Sequence, residues 1–304
     1  MQNAVCMNCD IKIAAQDNNR CGEAPVWDDQ RGRLIWADIE SALVYELVPS
    51  SREKTILSRD LSVSGIALSH GGNLVFAGAA GLHVWQGQGN YRTIVSEHEG
   101  EKLVFNDIIA DCKGRIYAGT LYWDTGGMQK PGKLYLVNSD GSVRVVDEGI
   151  QLSNGLGFSP DDKILYYADS AARKIYAYRV DVQTGGLSGK RLFAEVPPDE
   201  GIPDGLTVDA EGFVWCAQWY GAQVVRYDPD GKPERRIAMP VRQVSSVAFG
   251  GPELSDLYIT SAADSWPSPL APRDYDFKAS NMGGSLYRVR VETQGRKEQV
   301  AAIT

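Results

Sequence analysis

One short pattern returns six times along this chain of 304 residues. Each copy opens on a polar residue followed by a short apolar strand. A tight turn comes next, then a strand rich in Tyr, Trp and Val, then a third strand that often ends near Asp-Gly. The copies open at Glu23, Ser64, Asn106, Asn154, Asp204 and Ser246, so successive openings lie 41, 42, 48, 50 and 42 residues apart. A four-stranded propeller blade takes roughly 40–45 residues. The repeat therefore predicts an all-β chain: a six-bladed β-propeller, four strands per blade around a central channel, in one domain spanning residues 1–304.

Local chemistry agrees with strands. Arg33-Leu-Ile-Trp-Ala-Asp38 and Arg115-Ile-Tyr-Ala-Gly-Thr120 carry β-branched and aromatic residues between turn clusters. Asp161-Asp162, Cys112-Lys113-Gly114 and Ala210-Glu211-Gly212 read as hairpin turns. No segment sustains a 3.6-residue period, so helices should be few and short. A ring of blades must close, because an open seam leaves strand edges unpaired. The segment from Ala4 to Ala15 is expected to pair into the last blade; residues 297–304 are left unassigned.

The net charge of −8 argues against nucleic acid or an anionic membrane as partner, since both need clustered Lys and Arg. There is no basic-then-apolar leader at the N-terminus and no run of 18 apolar residues. Five cysteines do not make a disulfide framework, and Cys6-Met-Asn-Cys9 stands alone, without a second pair at zinc-site spacing. Those two are expected as free thiols, and a reducing cytoplasm as the compartment. A monomer is expected, because a closed ring offers no obvious edge.

In a propeller the residue just before each innermost strand points toward the shared axis. Here those residues are two carboxylates, two amides and two hydroxyls, and all offer oxygen. Two carboxylates at a narrow mouth raise each other's pKa unless a cation lies between them. Oxygen donors without His or Cys suit Ca2+ first, with Mg2+, Mn2+ and Zn2+ as alternatives. Glu23, Asn154 and Asp204 are the candidate metal ligands; the competing reading is that they only cap strand ends.

The loop between the second and third strands of a blade returns to the same mouth. It is long at Trp123–Gly132 and at Ala263–Met282, and Trp219–Ala222 is its counterpart in the fifth repeat. Long loops in a compact fold are usually functional. Trp123, Trp219, Tyr220 and Trp266 are candidates for apolar or sugar-stacking walls, with packing between blades as the alternative. Other chemistries lack support. None of His70, His83 and His98 opens a repeat, and neither a Gly-x-Ser-x-Gly elbow nor a phosphate-binding glycine loop is present.

Several strings resemble the SMP-30/gluconolactonase/regucalcin family, which includes luciferin-regenerating enzymes. They are Gly22-Glu-Ala-Pro-Val-Trp27, Phe105-Asn-Asp107, Ser153-Asn-Gly-Leu156, Ile202-Pro-Asp-Gly-Leu206 with Asp209-Ala-Glu-Gly212, and Gly283-Gly-Ser-Leu-Tyr287. Together they run from about residue 20 to 290. The resemblance implies a six-bladed propeller with one catalytic divalent metal on its axis, held by Glu23, Asn154 and Asp204. It also implies substrate contacts from Asn106 and from Asp124. The family has Arg two residues before that Asn; here Val104 stands in its place, which weakens the expectation of a standard aldonolactone.

The leading expectation is a metal-dependent lactonase, opening a sugar lactone such as gluconolactone. Asp204 would accept a proton from the attacking water, Asn106 would orient the ring, and Asp124, Trp219 and Trp266 would select the substrate. Two alternatives stand beside it. One is a metal-dependent esterase or phosphotriesterase, motivated by Val104 and the aromatic loops. The other is a calcium- or ligand-binding propeller without catalysis, since a fold does not fix a function.

Overall fold

The computed structural model describes residues 9–124, 126–265 and 268–303, and the backbone of residues 4–5. Among them six sheets, each built on four antiparallel strands and two carrying a parallel fifth, surround an axis. The innermost strands are Gly22–Asp28, Val63–Ser69, Phe105–Ala110, Ser153–Phe158, Ile202–Val208 and Val244–Gly250. Among the described residues the only helical element is one 3-10 turn, His70–Gly72. The six blades follow the repeat in the sequence one for one.

Closure uses the N-terminal segment, although of the expected Ala4–Ala15 stretch it is Ile11–Ala15 that pairs into the last blade. Ile11–Ala15 forms the outer strand of blade six, antiparallel to Leu286–Arg290, with Ile11 opposite Val289 and Ile13 opposite Tyr287. The first and last parts of the chain thus share one sheet, which removes the seam. Ala4–Val5 continues further and lies parallel to the outer strand of blade five. The C-terminal segment does something the sequence pattern did not reveal. Val300–Ala301 runs parallel to the innermost strand of blade two, and Ser69 Oγ donates to Ile303 O at 2.8 Å. Arg296 fastens this strap to blade four, donating to Ser159 O at 2.7 Å and Asp162 Oδ1 at 3.0 Å.

The apolar core is divided among the blade interfaces. Six clusters of buried side chains each join one blade to the next. Trp36 and Trp215, both fully buried, belong to them; Trp36 stacks on Tyr45 at 5.1 Å. Burying such large rings contributes most of the apolar free energy of a propeller, because each blade is flat and has no core of its own.

The cysteines depart from expectation at one point. Cys9 is disulfide-bonded rather than a free thiol, and Cys6 lies outside the described residues. Cys21, Cys112 and Cys216 are free. No helix among the described residues is long and apolar enough to cross a membrane.

Two features of the blades aim side chains at the axis. First, every innermost strand breaks register against its neighbour near its start: between Glu23 and Val26, Val63 and Gly65, Phe105 and Ile108, Ser153 and Leu156, Pro203 and Leu206, and Val244 and Val247. A bulge adds a residue on one strand and turns its side chain away from the pleat. All six repeat-opening residues sit at these breaks. Second, the strands approach closely there. A Cβ on Gly155 would lie 2.3 Å from Leu206 N and 2.6 Å from Asp204 O, so only glycine fits beside Asp204.

Candidate functional site

A cavity of about 520 Å3 opens at the mouth where the innermost strands begin. Its floor holds Glu23, Asn106, Asn154 and Asp204, drawn from blades one, three, four and five. Ser64 and Ser246, the other two repeat openers, stay out of it. Ser64 Oγ is engaged with Phe105 O at 3.0 Å, and Ser246 faces a second, smaller cavity of about 90 Å3 toward the C-terminal strap. A hydroxyl is too short to reach the axis when a neighbouring carbonyl is nearer.

Three of the four floor residues, Glu23, Asn154 and Asn106, are held by specific devices. Asp38, at the end of the second strand of blade one, accepts from Arg20 N and Cys21 N, each at 3.0 Å. That fixes the two residues leading into Gly22 and Glu23. Asp169 does the same in blade four, accepting from Gln151 N at 3.0 Å and Leu152 N at 2.9 Å just ahead of Asn154. Asn106 is braced by its own amide, which donates to Ser153 O at 2.7 Å. These are charge-assisted or buried bonds, the kind that restrict a side chain to one position.

The floor is electrostatically unfavourable as it stands. Burial, and then the neighbouring charge of Asp107, push the Glu23 carboxyl up to about 8, although Ala24 N donates to it at 3.0 Å. Asp204, 5% exposed, is pushed well above the usual carboxylate range by burial, by Glu23 and by Asp107, with the Asn154 amide opposing through a hydrogen bond. Asp107 itself is raised to about 7 by burial, partly offset by the Ile108 amide at 2.7 Å. Acidic groups drawn together without a basic partner bind protons or a cation.

Among the described residues no three His, Cys, Asp or Glu side chains cluster as a metal site. The candidate set of Glu23, Asn154 and Asp204 is two carboxylates and an amide, so a divalent ion there would share its sphere with solvent or substrate oxygen. The donors are all hard oxygens and the two carboxylates lack a cationic neighbour at the floor. That chemistry fits Ca2+ or a similar divalent ion.

The walls come from the loops flagged by their length. Trp123 and Asp124 form a small hairpin with Gly127–Met128 and both line the cavity. Trp123 Nε1 donates to Gln151 O at 2.6 Å, so the ring is tied to blade four. Asp124 Oδ1 accepts from Gly126 N at 2.7 Å within its own turn. Trp219 and Tyr220 line the cavity from blade five, and Ser268–Leu270 from the long loop of blade six. Trp266 lies outside the described residues. The candidate metal ligands and the described wall residues, chosen from separate repeats, thus meet in one cavity.

Several lining residues were not legible in the sequence. Val104 is not at the cavity and uses its carbonyl to accept from Leu121 N at 2.8 Å. Among the described residues that line the cavity, Arg20 is the cationic one. Its Nε donates to Asp264 Oδ2 at 2.6 Å and its Nη1 to Glu40 O at 3.3 Å. A guanidinium at the rim therefore comes from blade one instead of blade three. Gln243, fully buried, donates to Ala262 O at 3.1 Å and Asp264 O at 2.7 Å, clamping the base of the blade-six loop. The signal for both was their place three residues before a repeat opener, Arg20 before Glu23 and Gln243 before Ser246.

Residues 21–263 match the SMP-30/Gluconolactonase/LRE-like region. The chain belongs to the SMP-30/gluconolactonase/LRE-like family. It is 35% identical over 286 residues to pentonolactonase XacC of Haloferax volcanii, covering 92% of this chain and 94% of that protein. It is 33% identical over 260 residues to human regucalcin, covering 84% and 87%. Among solved structures, a luciferin-regenerating enzyme superposes with a TM-score of 0.85 at 29% identity, covering 97% of this chain and 99% of that one.

Proposed function

We propose that this family member is a divalent-metal-dependent lactonase that opens the ring of a sugar lactone, an aldonolactone of five or six carbons. The observation that carries the reading is the pair of carboxylates, Asp204 buried and Glu23 half-buried, held with two amides at the floor of one cavity and without a basic partner. The name of the Haloferax volcanii relative, pentonolactonase, supports the substrate class. Regucalcin relatives, one solved as a calcium-binding protein from Agrobacterium tumefaciens, support the cation.

Glu23, Asn154 and Asp204 would hold the ion. When bound, it supplies Lewis acidity toward the lactone carbonyl. Asp204 takes the proton of the attacking water on a carboxylate oxygen. Asn106 orients the ring by offering its amide oxygen, since its nitrogen is already donated to Ser153 O. Trp123 and Trp219 give apolar faces against which the C–H side of a sugar ring packs, while Asp124 accepts from ring hydroxyls. The walls exclude part of the bulk water, which strengthens each polar contact.

A second reading, an ester with an apolar substituent, draws support from the apolar side chains of the walls, Trp123, Trp219 and Leu270. One experiment separates them. Hydrolysis is followed over a panel of five- and six-membered sugar lactones, an aryl ester and a phosphotriester, with chelator and then with Ca2+, Mg2+, Mn2+ or Zn2+ restored. Chelator-sensitive turnover highest on a sugar lactone supports the first reading. Full lactonase activity in Asp204→Ala, or activity indifferent to chelation, refutes it.

A further inference from the structure

The blade-six loop crosses the cavity mouth and lands on two other blades. Its base is clamped by Gln243 at blade six. At its tip, Leu270 O accepts from Arg173 Nη2 of blade four at 2.8 Å, and the same guanidinium donates to Gly201 O through Nη1. Pro269 approaches the blade-three hairpin, where its Cγ would lie 3.9 Å from a Cβ on Gly127. Between these points Tyr220 of blade five meets the loop. Its ring stands edge-on to Tyr275 at 4.7 Å, and Tyr220 lines the cavity together with Ser268, Pro269 and Leu270.

Tyr220 is also held in an unusual backbone state. The corresponding turns of blades one and four put a left-handed residue only at their last position, Ala42 (φ 52°) and Arg173 (φ 57°). Blade five has Ala222 there (φ 51°) and adds Tyr220 at φ 68°. A bulky residue rarely adopts this conformation unless surrounding contacts enforce it. The turn is rewired to match. Ala42 N and Arg173 N close their own turns on Ile39 O and Ser170 O, whereas Ala222 N donates out of the turn to Arg242 O, at the foot of the crossing loop. The strain serves to present the Tyr220 ring to the cavity and to the loop together.

We infer that Tyr220 and Arg173 are specificity-determining residues that latch Ser268–Leu270 down as a roof, so that the site takes a compact monocyclic lactone with its hydroxyls on the polar floor and its C–H face beneath the roof, and rejects lactones with a bulky substituent. This rests on the lactonase reading for its substrate, and on the loop contacts alone for the latch. Arg173 acts through the loop backbone and is a positioning residue. Tyr220 lines the cavity itself.

The test uses Tyr220→Leu, Tyr220→Phe, Arg173→Met and Arg173→Lys in the full chain, each checked for unchanged thermal unfolding. Tyr220→Leu removes the ring that stands against Tyr275 and raises KM for the best sugar lactone roughly 5-fold, the worth of one aromatic pair, with kcat within about twofold. Tyr220→Phe keeps the ring and recovers most of that loss. Arg173→Met lowers the preference for the sugar lactone over an aryl-substituted lactone by about tenfold, and Arg173→Lys recovers part of it. Independently of activity, trypsin cleavage after Arg273 or Lys278, read by mass spectrometry, rises severalfold in Tyr220→Leu and Arg173→Met. An unchanged KM in Tyr220→Leu, equal losses on small and bulky lactones, or unchanged loop cleavage would each overturn the latch. If the parent protein hydrolyses no lactone, the proposed function falls while the cleavage measurement still judges the latch.

Discussion

Replacing Glu23 by Gln should move stability and function in opposite directions. In the metal-free protein burial and Asp107 push the Glu23 carboxyl up to about 8 against an ordinary 4.5. At pH 8 the unfolded chain has lost a proton that the folded protein still half keeps, so folding binds protons. Stability therefore is highest below the unfolded pKa and declines as pH rises from about 4.5 through 8. At about 1.36 kcal/mol per tenfold, the span from 4.5 to 8 sets a ceiling near 5 kcal/mol. The cavity is open to water on one side, which reduces this to about 2 kcal/mol. Glu23→Gln removes that titration, keeps the shape and leaves a carbonyl to accept from Ala24 N. With chelator present it should gain about 2 kcal/mol at pH 8 and under about 1 kcal/mol at pH 5, read from urea midpoints at constant m. Calcium should then reverse the order. Parent protein at 100 times its Kd gains about 2.7 kcal/mol, and the variant gains little. Isothermal calorimetry measures the affinity and denaturation the stability. A Glu23→Gln protein less stable than the parent at pH 8 without metal would refute the reasoning, because Glu23 would then be satisfied by the fold rather than strained by it.

Other substitutions test the devices that build the site. Gly155→Ala should destabilise by about 1–3 kcal/mol and weaken divalent-ion binding as well, since the new methyl meets Leu206 N and Asp204 O; thermal denaturation and calorimetry check both. Asp169→Ala should cost about 2–3 kcal/mol by freeing the amides of Gln151 and Leu152, and should lower lactone kcat/KM at saturating metal through the displaced Asn154. Arg296→Ala should cost about 1–2 kcal/mol by loosening the C-terminal strap from blade four, with KM for the lactone unchanged because the strap lies at the far mouth. A fall in affinity in that last variant would mean that the two mouths communicate through the channel.

Blade number, strand order and ring closure were written in the sequence, because the repeat recurs at nearly constant spacing and period-two alternation leaves few other ways to bury its aromatic residues. The floor of the site was legible for the same reason: Glu23, Asn106, Asn154 and Asp204 occupy equivalent repeat positions, and symmetry carries equivalent positions to one axis. Tertiary structure alone decided the rest. The guanidinium at the rim is Arg20 and not a residue near Val104, because the repeat fixes where a position lies and not which side chain fills it. Ser64 turned to a neighbouring carbonyl, and the C-terminal strap joined blade two, since each found its nearest partner in another blade. The strained Tyr220 and its ring contact with Tyr275 join distant segments by packing, and spacing along a chain does not encode which side chains end up face to face across a cavity.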